Sequence, residues 1–280
     1  MPCGCTICDP TNKHPYCICG EDWKEFQESL DILINISKNS KYIKKEFGIS
    51  TITVCTNFGS HIDLKKLASV YESGIKYNPK GKKSKKINQD SDCFYNSLIM
   101  NMKNKYQDIG YISVKFFPNG KLQIAGCKNV LSCAYSIRKA FSRILKTDCF
   151  LDKPKIHDSK IVMINSDFKL KYNFDQINFC DILNGLSIHE DKGNFTQVNY
   201  QPSKYPAINT KVVIKDKIPE YRKFLLNKSI KKFSGLISIL IFRPGSVILT
   251  GGNDITEYLE IFKQFMQIID DNHEFILDTD

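Results

Sequence analysis

The chain has 280 residues, 42% hydrophobic and 25% charged, enough for one large domain or two ordinary ones with a real core. No apolar run approaches the roughly 20 residues that span a bilayer. The start, Met-Pro-Cys-Gly-Cys, lacks the basic and apolar regions of a signal peptide, so a soluble intracellular protein with no membrane partner is expected. Net charge is +10, and of the 40 basic residues only Arg138, Arg143, Arg222 and Arg243 are arginine. The lysine excess reads either as a solvated surface or as attraction to a polyanion whose counterions it would release.

In chain order, residues 1–20 crowd together Cys3, Cys5, Cys8, Cys17 and Cys19, with His14 among them. Cys5, Cys8, Cys17 and Cys19 offer four soft ligands for one structural Zn2+; the alternative is reduced thiols in a flexible arm. The other cysteines are scattered and read as small buried hydrophobes or inert thiols. Residues 21–47 read as a helix, because Trp23, Phe26, Leu30 and Leu33 recur at helical spacing behind Glu21 and Asp22. Residues 48–150 and 159–271 look like two versions of one unit. Residues 272–280 read as a short acidic tail that frays.

The duplication is the strongest signal. Phe-Pro-Asn-Gly-Lys-Leu-Gln-Ile-Ala-Gly at 117–126 aligns without a gap, at an offset of 125, with Phe-Arg-Pro-Gly-Ser-Val-Ile-Leu-Thr-Gly at 242–251. Before the turn, Ile112, Val114 and Phe116 alternate with other residues, as do Ile237, Ile239 and Ile241. Period two predicts strands with one covered face. Asn119-Gly120 and Pro244-Gly245 mark hairpin turns. A helical stripe follows in each copy: Val130, Ala134, Ile137, Phe141 and Ile144, then Ile255, Leu259, Phe262, Met266 and Ile269 behind a predicted Asp254 cap. The face turned away from those helices would hold Leu240, Phe242, Ile248 and Thr250. An apolar face of that kind is expected to be covered by something: another segment, a second subunit or a ligand.

A strand-helix-hairpin-helix unit repeated twice resembles the TATA-box-binding protein family, and local strings support the resemblance. Gly59-Ser60-His61-Ile62-Asp63-Leu64-Lys65 is similar to the family's Leu-Gly-Cys-x-Leu-Asp-Leu-Lys. Tyr77-Asn78-Pro79-Lys80 repeats its Tyr-Asn-Pro-Lys. Tyr200-Gln201-Pro202-Ser203-Lys204-Tyr205-Pro206-Ala207 resembles Tyr-Glu-Pro-Glu-Leu-Phe-Pro-Gly. Leu240-Ile241-Phe242 with Val247-Ile248-Leu249-Thr250-Gly251 resembles the second hairpin. The resemblance covers roughly 49–271. It implies an α+β, pseudo-symmetric saddle in which two repeats form one curved antiparallel sheet with helices on the convex face, plus a Cys-rich and helical N-terminal extension.

It also implies function. Such a protein binds and bends AT-rich promoter DNA through the minor groove, with aromatic wedges unstacking base steps at about a few kcal/mol each. The wedges would be Tyr95 (or Phe94), Phe117, Tyr205 and Phe242. Groove contacts would come from Thr51, Thr53, Gln123 and Ala125 in the first repeat, and from Met163, Asn165, Leu240, Ile248 and Thr250 in the second. Lys103, Lys121 and Lys211 would contact phosphates. Implied partners are double-stranded DNA, a transcription factor IIB-like factor and RNA polymerase, with a homodimer as the free form. Implied sites of action are the nucleus or, for a giant-virus member, the virion or cytoplasmic viral factory.

Departures from the family pattern are specific. Thr51 and Met163 stand where the family pairs two Asn, Ala125 where it has Thr, Lys115 where it has an apolar residue, and Gln201 and Ser203 where it has acids. Residues 81–92 and about 215–234 are Lys-bearing insertions; the first reads as a polar loop or as an added phosphate clamp. No Gly-rich phosphate loop with Lys, HExxH motif or nucleophile elbow occurs, and His61, His157, His189 and His273 are isolated. The reading is a DNA-binding initiation factor rather than an enzyme. Its rivals are a protein-interaction module of a transcription apparatus that has lost sequence-specific DNA binding, an accessory of a nuclease or glycosylase, and a metal-dependent scaffold.

Overall fold

The computed structural model describes residues 21–71, 75–78, 96–106, 110–188, 193–227, 233 and 235–278. The cysteine cluster at 1–20 and the insertion at 81–92 lie outside the described residues. Helix α1, Glu21–Asn39, buries Phe26, Leu30 and Leu33 along one stripe. It is shorter than the helix expected over 21–47. The Ser37 hydroxyl donates to the Ile34 carbonyl at 2.8 Å and accepts the Phe47 amide at 2.9 Å, so the chain reverses there. Strand β1, Ile43–Asn57, follows. Ile43 and Phe47 are both buried and four apart, a spacing that imitates a helix.

The described residues divide into two compact units, one drawn from 21–24 and 51–162 and the other from 25–50 and 163–278. In the first, α2 (Leu64–Val70), β2 (Ile75–Asn78), β3 (Ser97–Lys103), β4 (Tyr111–Phe116), β5 (Lys121–Cys127) and α3 (Val130–Leu145) follow the end of β1. The strand order is β2-β3-β4-β5-β1, with every neighbour antiparallel. Ile52, Val54, Ile112, Val114, Phe116, Leu122 and Ile124 are buried, as the alternation requires. Both helices start on a side-chain cap: Asp63 accepts from the Lys66 amide at 2.9 Å and Asn129 from the Ser132 amide at 2.7 Å. α3 lies against β5 and buries Val130, Cys133, Ala134, Ile137, Ala140 and Ile144.

The second unit begins within β6 (His157–Leu170), at Met163, and continues through β7 (Asn173–Phe174), α4 (Gln176–Gly185), β8 (Phe195–Asn199), β9 (Ala207–Val213) and α5 (Ile218–Leu226). Then come β10 (Leu236–Phe242), β11 (Ser246–Thr250), α6 (Ile255–Ile276) and β12 (Leu277–Asp278). The order β6-β11-β10-β9-β8 is again antiparallel throughout and reproduces that of the first unit. The turns match atom for atom. Phe58 N donates to Gly120 O and Leu170 N to Gly245 O, both at 2.9 Å; Ile62 N donates to Pro118 O at 2.9 Å and Phe174 N to Arg243 O at 2.7 Å. The architecture is α+β and two-repeat, with helices on one face of each five-stranded array. No helix among the described residues is long and apolar enough to cross a membrane.

Three details depart from expectation. The α6 stripe is rotated: Tyr258, Ile261, Phe262, Phe265, Ile268 and Ile269 are buried, while Leu259 and Met266 are only half-buried. Tyr258 is inside because its hydroxyl donates to the Ile164 carbonyl, which satisfies the polar end. The C-terminal residues do not simply fray: α6 continues to Ile276, and β12 pairs with β7, burying Ile276 and Leu277. Within the second insertion, α5 places Tyr221 in a small core with Ile188 and Val213, against Ile218, Phe224, Phe233 and Leu236.

Candidate nucleic-acid interface

The helices leave one face of each array uncovered, and the cross-strand register decides what lies there. In the second unit Leu240 stands between Asn209 and Ile248, and Ile248 faces Asp167. The next row is Lys211, Ser238, Thr250 and Asn165. Leu240, Ile248, Thr250, Met163 and Asn165 are all half-buried rather than sealed. The Thr250 hydroxyl donates to Asn165 Oδ1, so Asn165 is left offering amide N–H groups. Lys45 Nζ pairs with Asp167, which offsets the only carboxylate of these two rows.

The wedge position Phe242 ends β10 and is half-exposed. Tyr205, 45% exposed, meets it edge to face with ring centroids 6.0 Å apart. Two features hold this pair. Gly245, at φ 81°, donates its N–H to the Phe242 carbonyl at 3.0 Å and closes the turn. Buried Gln176 donates to the Pro206 carbonyl at 2.9 Å and to the Ile241 carbonyl at 3.1 Å, tying the Tyr205 loop to β10. Sequence reasoning missed Gln176, because its role depends on two carbonyls distant in the chain.

In the first unit, Phe117 is likewise half-exposed after β4, with Gly120 at φ 78° donating to its carbonyl at 3.1 Å. The other first-repeat wedge candidate, Tyr95 or its alternative Phe94, lies outside the described residues. The rows opposite the helices are Ile99, Lys115, Gln123 and Cys55, then Asn101, Ser113 and Ala125, of which Ile99 is buried. Gln123 and Ala125 are half-buried. Thr51 is half-buried and its hydroxyl accepts from Gly126 N at 2.9 Å, inside a bulge where Gly126 adopts φ 99°. Thr53 is 2% exposed and presents no contact surface.

Beside Phe117 an open cavity of about 860 Å3 is lined by Phe117, Gln123, Asn57, Asn119, Lys121 and Lys160, among others. Burial pushes the Cys55 thiol up from its ordinary pKa, while Lys160 and Lys121 pull it down. Lys160 lies at the start of the second repeat, and nothing in its local sequence marks it as a neighbour of Phe117. Of the phosphate candidates, Lys103 and Lys121 are exposed and Lys211 is half-buried. Among the described residues, no group of three or more His, Cys, Asp or Glu is arranged to hold a metal ion; Cys5, Cys8, Cys17 and Cys19 lie outside them.

Comparison with known proteins adds three findings. Residues 46–147 match the family described as transcription factor TFIID, or TATA-binding protein. A "TATA-box-binding protein-like" protein of Acanthamoeba polyphaga mimivirus is 30% identical over 186 residues, covering 60% of this chain and 46% of that protein. The chain thus spans about half the length of the curated relative it matches. A solved structure described as Methanococcus jannaschii TBP covers 81% of this chain and 99% of its own, at 17% identity and a TM-score of 0.48.

Proposed function

We propose that this chain, similar over residues 46–147 to the TATA-binding protein family and 30% identical over 186 residues to a mimivirus TATA-box-binding protein-like protein, is a transcription initiation factor that binds AT-rich duplex DNA through the minor groove and bends it. Each uncovered face meets one half of a short site. The single observation that carries this reading is the placement of Phe117 and Phe242. They occupy equivalent positions after equivalent hairpin strands, each held by a glycine turn, each half-exposed on the face opposite the helices. Aromatic rings so placed are suited to entering a base step, and the larger contact with bent DNA offsets the unstacking. Asn165 supplies N–H donors, which match the acceptors that A·T pairs show in the minor groove. Lys103, Lys121 and Lys211 add phosphate contacts that position without reading sequence.

The bound and bent duplex then nucleates assembly with a transcription factor IIB-like factor and RNA polymerase. The mimivirus relative favours a viral protein acting in the virion or the cytoplasmic factory rather than the nucleus. A Zn2+ on Cys5, Cys8, Cys17 and Cys19 belongs to the same proposal, as a structural element of the extension. The non-enzymatic role follows the family. One observation favours a second reading, an interaction module without sequence preference: Lys115 stands on the floor where its counterpart is Leu240.

The experiment is binding of the full chain to A·T-rich and G·C-rich duplexes over a salt series. A·T-rich DNA is expected to bind tighter by about tenfold or more at every salt concentration. Salt-sensitive binding of equal strength to both would leave only a basic surface and defeat the proposal.

A further inference from the structure

The two floors are built on equivalent backbones and differ in chemistry at equivalent places. At the 125-residue offset, Lys115 corresponds to Leu240, Gln123 to Ile248 and Ala125 to Thr250. The register makes the exchange concerted: Lys115 is directly across from Gln123, as Leu240 is from Ile248. Lys121 and Lys160 stand beside Gln123 around the cavity next to Phe117.

In the minor groove, A·T and T·A pairs show only acceptors, whereas a G·C pair adds the N2 amino donor of guanine. Against Leu240 and Ile248 that amino group would be desolvated with no partner, a costly arrangement. Gln123 offers what it needs: Oε1 accepts from the guanine amino group while Nε2 donates to a neighbouring ring nitrogen or carbonyl. Lys115, one strand over, donates to the same class of acceptor.

We propose that Lys115 and Gln123 are specificity-determining residues. They let the half-site under the first unit hold a G·C pair, while Leu240 and Ile248 confine the other half-site to A·T, and this polarity sets the direction in which the protein sits on DNA. The inference rests on the duplex-binding reading above.

The test walks a single G·C pair across an otherwise A·T site and measures affinity and bending. The proteins are the full chain, the double variant Lys115→Leu/Gln123→Ile and the reverse variant Leu240→Lys/Ile248→Gln. The wild type should lose about tenfold in affinity when the pair enters one half-site and about twofold or less in the other. Lys115→Leu/Gln123→Ile should raise the smaller penalty to about tenfold, making the profile symmetric. The reverse variant should lower the larger one, a gain that a folding defect cannot imitate. Equal penalties in both halves for the wild type overturn the inference and leave duplex binding intact. So does a wild-type asymmetry that survives in Lys115→Leu/Gln123→Ile. Failure to bend any duplex removes the functional reading and this inference with it.

Discussion

The two units share a backbone down to individual turn hydrogen bonds, yet their surfaces have diverged. On the uncovered side, the first unit shows Lys115, Gln123 and Cys55 where the second shows Leu240, Ile248 and Asp167. On the helical side, α3 carries Arg138, Lys139 and Arg143 and no carboxylate, whereas α6 carries Glu257, Glu260, Asp270, Asp271 and Glu274. Some of that acid is locally matched, Glu257 by Lys217 and Asp270 by Lys41. The repeat is held by its buried alternation, turns and caps. Charge on either outer face is left free to specialise.

If that is right, equivalent changes in the scaffold should cost alike. The largest effect is expected at the turns. A Cβ at Gly120 would fall 2.3 Å from the Ser60 carbonyl oxygen, and one at Gly245 would fall 2.5 Å from that of Tyr172, both at positive φ. Gly120→Ala and Gly245→Ala should each lose at least about 1–3 kcal/mol from backbone strain alone, measured by denaturant unfolding. Loss at one and none at the other would break the equivalence. A smaller effect belongs to the caps. Asn129→Ala and Asp254→Ala each remove an acceptor from the first turn of the long helix and should cost about 1 kcal/mol in the same assay. The carboxylate at Asp254 should add a salt-sensitive part that Asn129 lacks, because it also meets the positive helix end; identical salt dependence would contradict that.

The hairpins, both long helices and the covered face were legible, because period two, period 3.6 and Asn-Gly or Pro-Gly turns are local signals. What escaped was non-local or partly polar. The buried stripe of α6 includes Tyr258, which an apolar tally omits and which is buried only because Ile164 supplies a carbonyl. The strand at 43–47 hid behind a helix-like spacing of Ile43 and Phe47. The β12–β7 pair joins residues about a hundred positions apart by means of two short strands, and an acidic composition gave no hint of it. At the candidate interface, Phe117 and Phe242 were identifiable from the duplicated hairpin motif, and Tyr205 from the family resemblance of residues 200–207. The Thr250–Asn165 bond, the Lys45–Asp167 pair and the Gln176 tether were not, since each exists only once strands are in register.

The most direct measurement is the end-to-end distance of a labelled A·T-rich duplex bound to the wild type, to Phe117→Ala and to Phe242→Ala. A wedge that opens a base step should, when removed, lower the bend strongly at each end while low-salt binding through lysines largely persists. A bend unchanged by loss of either ring, or bending and residual binding lost in equal proportion, would contradict the proposed insertion.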